Sequence, residues 1–292
     1  MASISHHYNP QVYLRQFAHK KEFWEYDLTN GTAEKSTPQE SGCEDYYHSF
    51  IGSDGQRDDD TLEKSFFSIE NRLPELFEAI RHLKPISDEL KGVFFWFAAI
   101  QRARSPKMIA SIQKGLKKLH EATWEMVKHT PHFDRWMIAR GLEPDKVREA
   151  EFEIQPSRGH SLLMLLERSE ILTECFAKMK WAFLCAPPDK FFFTNDDPVC
   201  CWSPPDKRGP LGDVGPETPE VEITFPLSRR ICAYGSWNLS PPLYSEMSSQ
   251  QMNGINFRTI LNGWNYVYGP TKDDLMLELV QDSAKRRSHV AD

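Results

Sequence analysis

What this chain lacks narrows its class before any residue is singled out. No apolar stretch is longer than the eight residues 93–100, against the roughly 20 a helix needs to cross a bilayer. The opening MASISHHYNPQ has neither a basic start nor an apolar h-region, so no secretory signal and no membrane association are expected. Six cysteines make no C-x-x-C pair, and the adjacent Cys200 and Cys201 would point to opposite faces of a strand. Reduced thiols in a cytoplasmic protein are the simplest expectation. Basic charge is also short: 35 Lys and Arg against 42 Asp and Glu leave a net charge of −7. That argues against indiscriminate coating of DNA, though a local basic groove is compatible with it. The G-x-S-x-G elbow, the H-E-x-x-H zinc helix and the dinucleotide fingerprint are all absent. No Cys/His signature of a thiol nucleophile appears, and the glycines of 209–215 lack the Lys-Ser/Thr and following helix of a phosphate-cradling loop.

What is present is an ordinary globular composition over 292 residues, 40% hydrophobic and 12% aromatic, ample for a sizeable core. Residues 5–17 read as a loop or short strand that turns helical after Pro10. Residues 21–28 and 32–36 read as a hairpin around Thr29-Asn30-Gly31. Leu62, Phe66, Ile69, Leu73, Leu76, Phe77, Ile80 and Leu83 recur at helical spacing, with Pro74 marking a kink or a fresh start. Ser87 and Ser105-Pro106 announce two further helices, and 133–140, a stretch from 143, and 159–183 read as more. Beyond Ala186-Pro187-Pro188 strands are expected at 190–194, 221–225, 231–234 and 264–268, with a helix over 244–261. The pattern predicts an α+β fold, a largely helical middle with a small mixed or antiparallel sheet built from the N-terminal hairpin and C-terminal strands. One domain over 1–270 and a charged tail over 271–292 are expected.

Four polar clusters stand where a helical bundle needs none. His6 and His7 are adjacent, so in an extended chain at most one enters a given site, as metal ligand or as acid and base. Its plain alternative is one imidazole bonded to core backbone and the other in solvent. Asp196 and Asp197 follow the apolar 191–193; paired acids there attract a divalent cation or share a proton, or else satisfy an Asx turn. Gln101 and Arg104 share a helical face with Phe97 and Met108, and a part-buried guanidinium seeks a phosphate or a carboxylate, such as Asp196 or Glu70. Glu63 and Glu70 lie seven apart on one helix edge, where carboxylates are usually solvated. Arg102 and Asn256 are added as candidate substrate contacts.

Several of these residues fall in a recognisable order. His6-His7-Tyr8-x-Pro10-x-x-Tyr13-Leu14-Arg15-x-Phe17, Gln101-x-x-Arg104-Ser105-Pro106, Thr194-Asn195-Asp196-x-Pro198-Val199 and Phe225-Pro226-Leu227-Ser228 resemble a bacterial domain-of-unknown-function family. Its members open with H-H-Y-x-P-x-x-Y-L-x-x-F and carry T-S-D-N-P-V much later. The likeness runs from His6 to about Tyr268 and implies a single domain with polar hot spots, while supplying no reaction. Asn195 stands where Ser is usual and Asp197 where Asn is usual, which makes this segment more acidic.

The leading expectation is a metal-dependent hydrolase acting on a phosphodiester, a nucleic acid or a nucleotide. His6, His7, Arg104 and Asp196 would be catalytic, with His7, Glu70, Asp196 and Asp197 around Mg, Mn or Zn and Gln101, Arg102 and Asn256 on the substrate. The competing expectation is a non-catalytic binding or sensor module in which the same residues form a structural polar network. An adaptor using the Pro-rich loop 203–219 is the third.

Overall fold

The computed structural model describes residues 4–52, 54–150, 153, 155–208, 214–238 and 242–291. Part of the loop 203–219 thus lies outside the described residues. Strand β1 (Ser5–His7) pairs antiparallel with β4 (Cys43–Asp45), setting His6 opposite Glu44. Pro10 then starts the single turn α1 (Gln11–Leu14). The hairpin of β2 (Phe23–Asp27) and β3 (Thr32–Ser36) forms around a turn that Asp27 Oδ1 locks by accepting from Thr29 N at 2.7 Å and Asn30 N at 2.9 Å. Gly31 closes it at φ +69°, a conformation that a side chain would strain. β13 (Tyr266–Gly269) lies beside β2, and β8 (Thr194–Asn195) beside β13, so the order is β3-β2-β13-β8. The two ends of the chain share this sheet, as the sequence pattern predicts.

A second sheet runs β12-β7-β11-β10-β9, from β12 (Tyr244–Glu246), β7 (Lys180–Cys185), β11 (Ile231–Ser236), β10 (Glu222–Ser228) and β9 (Cys200–Trp202). It is antiparallel except where β12 runs parallel to β7. A two-stranded ribbon, β5 (Phe50–Ile51) with β6 (Arg57–Asp58), precedes the helices. Among these, α2 (Thr61–Glu70) and α3 (Leu73–Arg81) divide at Asn71-Arg72, and Pro74 sits in the first turn of α3, where its missing N–H leaves no bond unmade. Ser87 Oγ caps α4 (Asp88–Ala103) through Leu90 N at 3.3 Å, and Ser105 Oγ caps α5 (Pro106–Val127) through Met108 N at 3.3 Å. The sharp break between α4 and α5 falls at Arg104-Ser105, so Gln101 and Arg104 leave the last turn of α4 toward the N-terminal segment.

The main core joins α1, α3 and α4 to the five-stranded sheet. Tyr13 packs against Phe97 with ring centroids 5.6 Å apart, and Phe97 against Phe225 at 5.4 Å. Each such side chain contributes about 1.5–3 kcal/mol by burial. The Tyr13 hydroxyl donates to Pro226 O at 2.7 Å and accepts from Thr194 Oγ1 at 2.5 Å, which ties α1 to both sheets.

Three stretches depart from the periodicity reading. The helix expected over 159–183 is α8 (Arg158–Glu167) and α9 (Ser169–Lys178), after which the chain is β7. Pairing of β7 with β11, some fifty positions away, overrides the local helical spacing. The strand expected over 190–194 shrinks to β8, because Phe192 N bonds Arg229 O and Phe193 N bonds the Asn256 side chain instead of a neighbouring strand. Helix α10 (Ser249–Asn262) starts later than 244, at a capping box of Ser248 and Gln251, with β12 ahead of it. In the segment expected as a charged tail, α11 (Asp274–Ala291) buries Met276 and Val280 with Tyr26, Leu28 and Val267. No helix among the described residues is long and apolar enough to cross a membrane. All six cysteines are free.

Candidate functional site

The alternation of β1 sends His6 into the interior, where it is fully buried, and leaves His7 half-buried on the other side. Burial holds the His7 imidazole below its ordinary range against backbone contacts at Pro38 and Gln39 that raise it. His6 Nδ1 accepts the backbone N–H of His48 at 3.0 Å. The His48 ring stacks on His6 at 5.6 Å and meets the edge of Phe66 at 4.9 Å. Its Nδ1 donates to Glu63 Oε1, while Nε2 is buried without a hydrogen-bond partner. One donor atom each from His6, His48 and Glu63 lies within 4.8 Å of the other two. Burial pushes His48 down to about 4, only partly offset by the Glu63 bond, so it is neutral at pH 7. For Glu63, burial acts upward, but the hydrogen bond from His48 and the nearby Arg104 guanidinium act the other way and hold the carboxyl low.

Position 48 is held by close packing. Gly159, in the first turn of α8, lies so near the 49–50 backbone that an added Cβ would fall 2.3 Å from Ser49 O. Next along, the Tyr47 hydroxyl donates to Arg104 O at 2.9 Å.

Arg104, 1% exposed, donates from Nη1 to Glu70 Oε1 at 2.9 Å and from Nε and Nη2 to Gln101 Oε1 at 3.3 and 3.0 Å. Its guanidinium covers the Phe66 ring at 4.9 Å. Gln101 Nε2 in turn donates to Tyr8 O at 2.9 Å and to Asn9 Oδ1. Asn9 Nδ2 reaches Asn195 O at 2.9 Å, and Asn195 Nδ2 reaches Thr259 O at 2.5 Å. This chain of side-chain bonds runs unbroken from Glu70 to α10. The four residues Arg104, Gln101, Asn9 and Asn195 are all sealed from water.

Asp196 and Asp197 lie at the far end of that chain. Asp196 is fully buried; Oδ1 accepts from Trp264 N at 2.7 Å, and Oδ2 from Asn265 N at 2.6 Å and Tyr266 N at 3.2 Å. Burial, helped by the neighbouring Asp197 charge, raises its carboxyl to about 6 against the downward pull of those backbone donors. Asp197 Oδ2 accepts from Asn262 Nδ2 at 3.0 Å and lies 3.7 Å from Lys107 Nζ; its Oδ1 is buried without a partner. Arg102 donates to Val199 O at 2.9 Å. Asn256 clamps the backbone of Phe191 and Phe193 at 3.0 and 3.2 Å.

Of the residues named from sequence, His6 and Glu63 join the three-residue histidine–carboxylate group, while Arg104, Glu70 and Gln101 form one ion-pair network. His7, Glu70, Asp196 and Asp197 are not members of the histidine–carboxylate group, which is the one such group among the described residues. Of the two carboxylates named for it, Arg104 takes Glu70. His48 escaped the sequence reading. It lies in no motif and no periodic segment, and its single signal is a histidine between Tyr47 and Ser49 in the short link from β4 to β5.

A family model described as "Protein of unknown function (DUF4238)" matches residues 5–273. No curated protein matches the chain, and no solved structure matches it.

Proposed function

The chain is a member of that family of unknown function, and from this premise we propose that it is a non-catalytic ligand-binding or sensor module. One observation carries the reading: the polar residues Asn9, Gln101, Arg104, Asn195 and Asp196 are at most 1% exposed and bonded to protein groups. Such a network fixes the N-terminal segment to the sheets and gives a rigid frame, since every unpaired member would leave a buried polar group unsatisfied. Alanine at Asn9, Gln101 or Asn195 is expected to lower unfolding free energy by roughly 2–3 kcal/mol in urea. Variants as stable as the parent would defeat the reading.

A second reading, a metal-dependent hydrolase of phosphodiesters such as nucleic acids or nucleotides, draws on the histidine–carboxylate group. Two imidazoles and a carboxylate within 4.8 Å fit a transition ion such as Zn or Mn better than Mg, which prefers oxygen ligands. His6, His48 and Glu63 would hold it, and the Glu63 side chain, 37% exposed, faces solvent. A cation there supplies Lewis acidity and an activated water. His48 is already neutral, so it loses no proton to become a ligand. Equilibrium dialysis against Zn²⁺ and Mn²⁺, paired with hydrolysis of bis(p-nitrophenyl) phosphate, tests this reading. It requires one ion per chain, and loss of both ion and turnover in His6→Ala, His48→Ala and Glu63→Gln.

A further inference from the structure

A cavity of about 550 Å³ opens between α1, the end of α3 and the turn joining β10 to β11. Arg15, Arg81, Arg229 and Arg230 line it, with Gln16 and Ser228, and no acidic residue does. In a chain of net charge −7, four guanidiniums around one hollow are a local inversion of charge.

The cavity is built by two segments far apart in sequence. Arg229 N donates to Gln16 O at 3.1 Å, which holds the 15–16 and 229–230 backbones together. Ser228 Oγ accepts from Arg230 N at 3.2 Å and Ile231 N at 3.1 Å, locking the turn that presents the two arginines. Arg230 spends its guanidinium on the Ala186, Pro187 and Lys190 carbonyls, each at 2.7 Å, and so serves as a wall. Arg81 is partly neutralised by Glu78 at 2.7 Å. The other two bond side chains that are not carboxylates: Arg15 bonds Gln11 Oε1 at 2.9 Å, and Arg229 bonds His19 Nδ1 at 3.3 Å. Among the described residues no carboxylate pairs with Arg15, Arg229 or Arg230.

We propose that this cavity binds a phosphorylated small molecule, its phosphate held by Arg15 and Arg229 and its remainder filling the hollow. A guanidinium fork matches phosphate oxygens in pairs, and two forks on one hollow can share the three terminal oxygens of a single phosphate, which a planar two-oxygen carboxylate does not offer. The volume is that of a nucleotide-sized ligand rather than a macromolecule. The proposal rests on the binding-module reading, for which it names the ligand class.

Titration calorimetry of the full chain with pyrophosphate, ADP and citrate tests it. Pyrophosphate and ADP are expected to bind, more weakly as salt rises, and citrate at least about tenfold less tightly. Arg15→Gln and Arg229→Gln each remove one charge-assisted contact and should weaken binding about tenfold or more. Neither substitution breaks a bond to backbone, and matched melting curves check that both variants are folded. Arg140→Gln, a change at an exposed arginine stacked on Trp136, should leave binding as it was. Absence of binding by both phosphates, equal binding of citrate, or indifference to Arg15→Gln and Arg229→Gln would overturn the proposal, while the network reading still stands or falls by its own melts. Recovery of ADP as hydrolysis products would support the cavity and overturn the non-catalytic reading.

Discussion

The side chain of Asn9 donates to the backbone carbonyl of Asn195 at 2.9 Å, across 186 positions of sequence. Through this bond the N-terminal histidine segment and the late aspartate segment become parts of one buried network, with Gln101 and Arg104 on one side and Asp196 on the other. Each member therefore has consequences for stability that can be measured.

Asp196 anchors three successive backbone N–H groups at the entry to β13. Asp196→Asn leaves one acceptor oxygen where there were two and turns an N–H₂ toward backbone donors. A loss of roughly 3 kcal/mol in urea unfolding is expected, within the range of hydrogen bonds to charged groups. Unchanged stability would instead free this carboxylate for chemistry.

Arg104 is buried, and its partner Glu70 is 27% exposed on the side chain. Removing the cation by Arg104→Met strands Gln101 Oε1 and Glu70, for an expected loss of about 3–5 kcal/mol. Arg104→Lys keeps the charge but lacks the planar fork that meets Gln101 Oε1 from both Nε and Nη2, so it should recover only part of that loss. Glu70→Gln keeps an acceptor at the rim and is expected to be the mildest of the three. The order of midpoints in urea checks the series.

His48 gives the protein an acid-sensitive step. Its folded value of about 4 lies below the unfolded 6.5, so between these the unfolded chain binds the extra proton. The stabilisation is present above pH 6.5 and is lost as pH falls toward 4, amounting to about 2.5 kcal/mol by pH 4.5. Asp196 acts in the opposite sense: its raised carboxyl stabilises below 3.8 and loses that contribution as pH rises through about 6. Comparing the parent with His48→Gln separates the two. The variant should lose about 2.5 kcal/mol less between pH 7 and pH 4.5, and an identical pH profile would show that the imidazole is not buried neutral.

Much of the frame was legible because its signals are local. Ser87, Ser105 and Pro106 cap and open helices by bonds spanning three residues, and Asn30-Gly31 makes its turn from its own backbone preferences. The stripe from Leu62 to Ile80 specifies two helices and Pro74 marks the start of the second, whereas Leu83, read as part of the stripe, lies past the end of α3 and is half-exposed. Where a non-local partner decides, local pattern misleads: 180–185 becomes a strand because β11 is there to pair with it.

The candidate site divides along the same line. From sequence alone, His6, Gln101, Arg104 and Asp196 stand out as polar groups that a helical core does not call for, because hydrophobic periodicity exposes any interruption. Tertiary structure alone decided that Arg104 takes Glu70, that Asp196 serves backbone donors, and that His48 completes the group with His6 and Glu63. It also decided that Arg15 and Arg229 face one hollow. Partner choice depends on distances through space, and chain order does not carry them until the sheets bring the ends together.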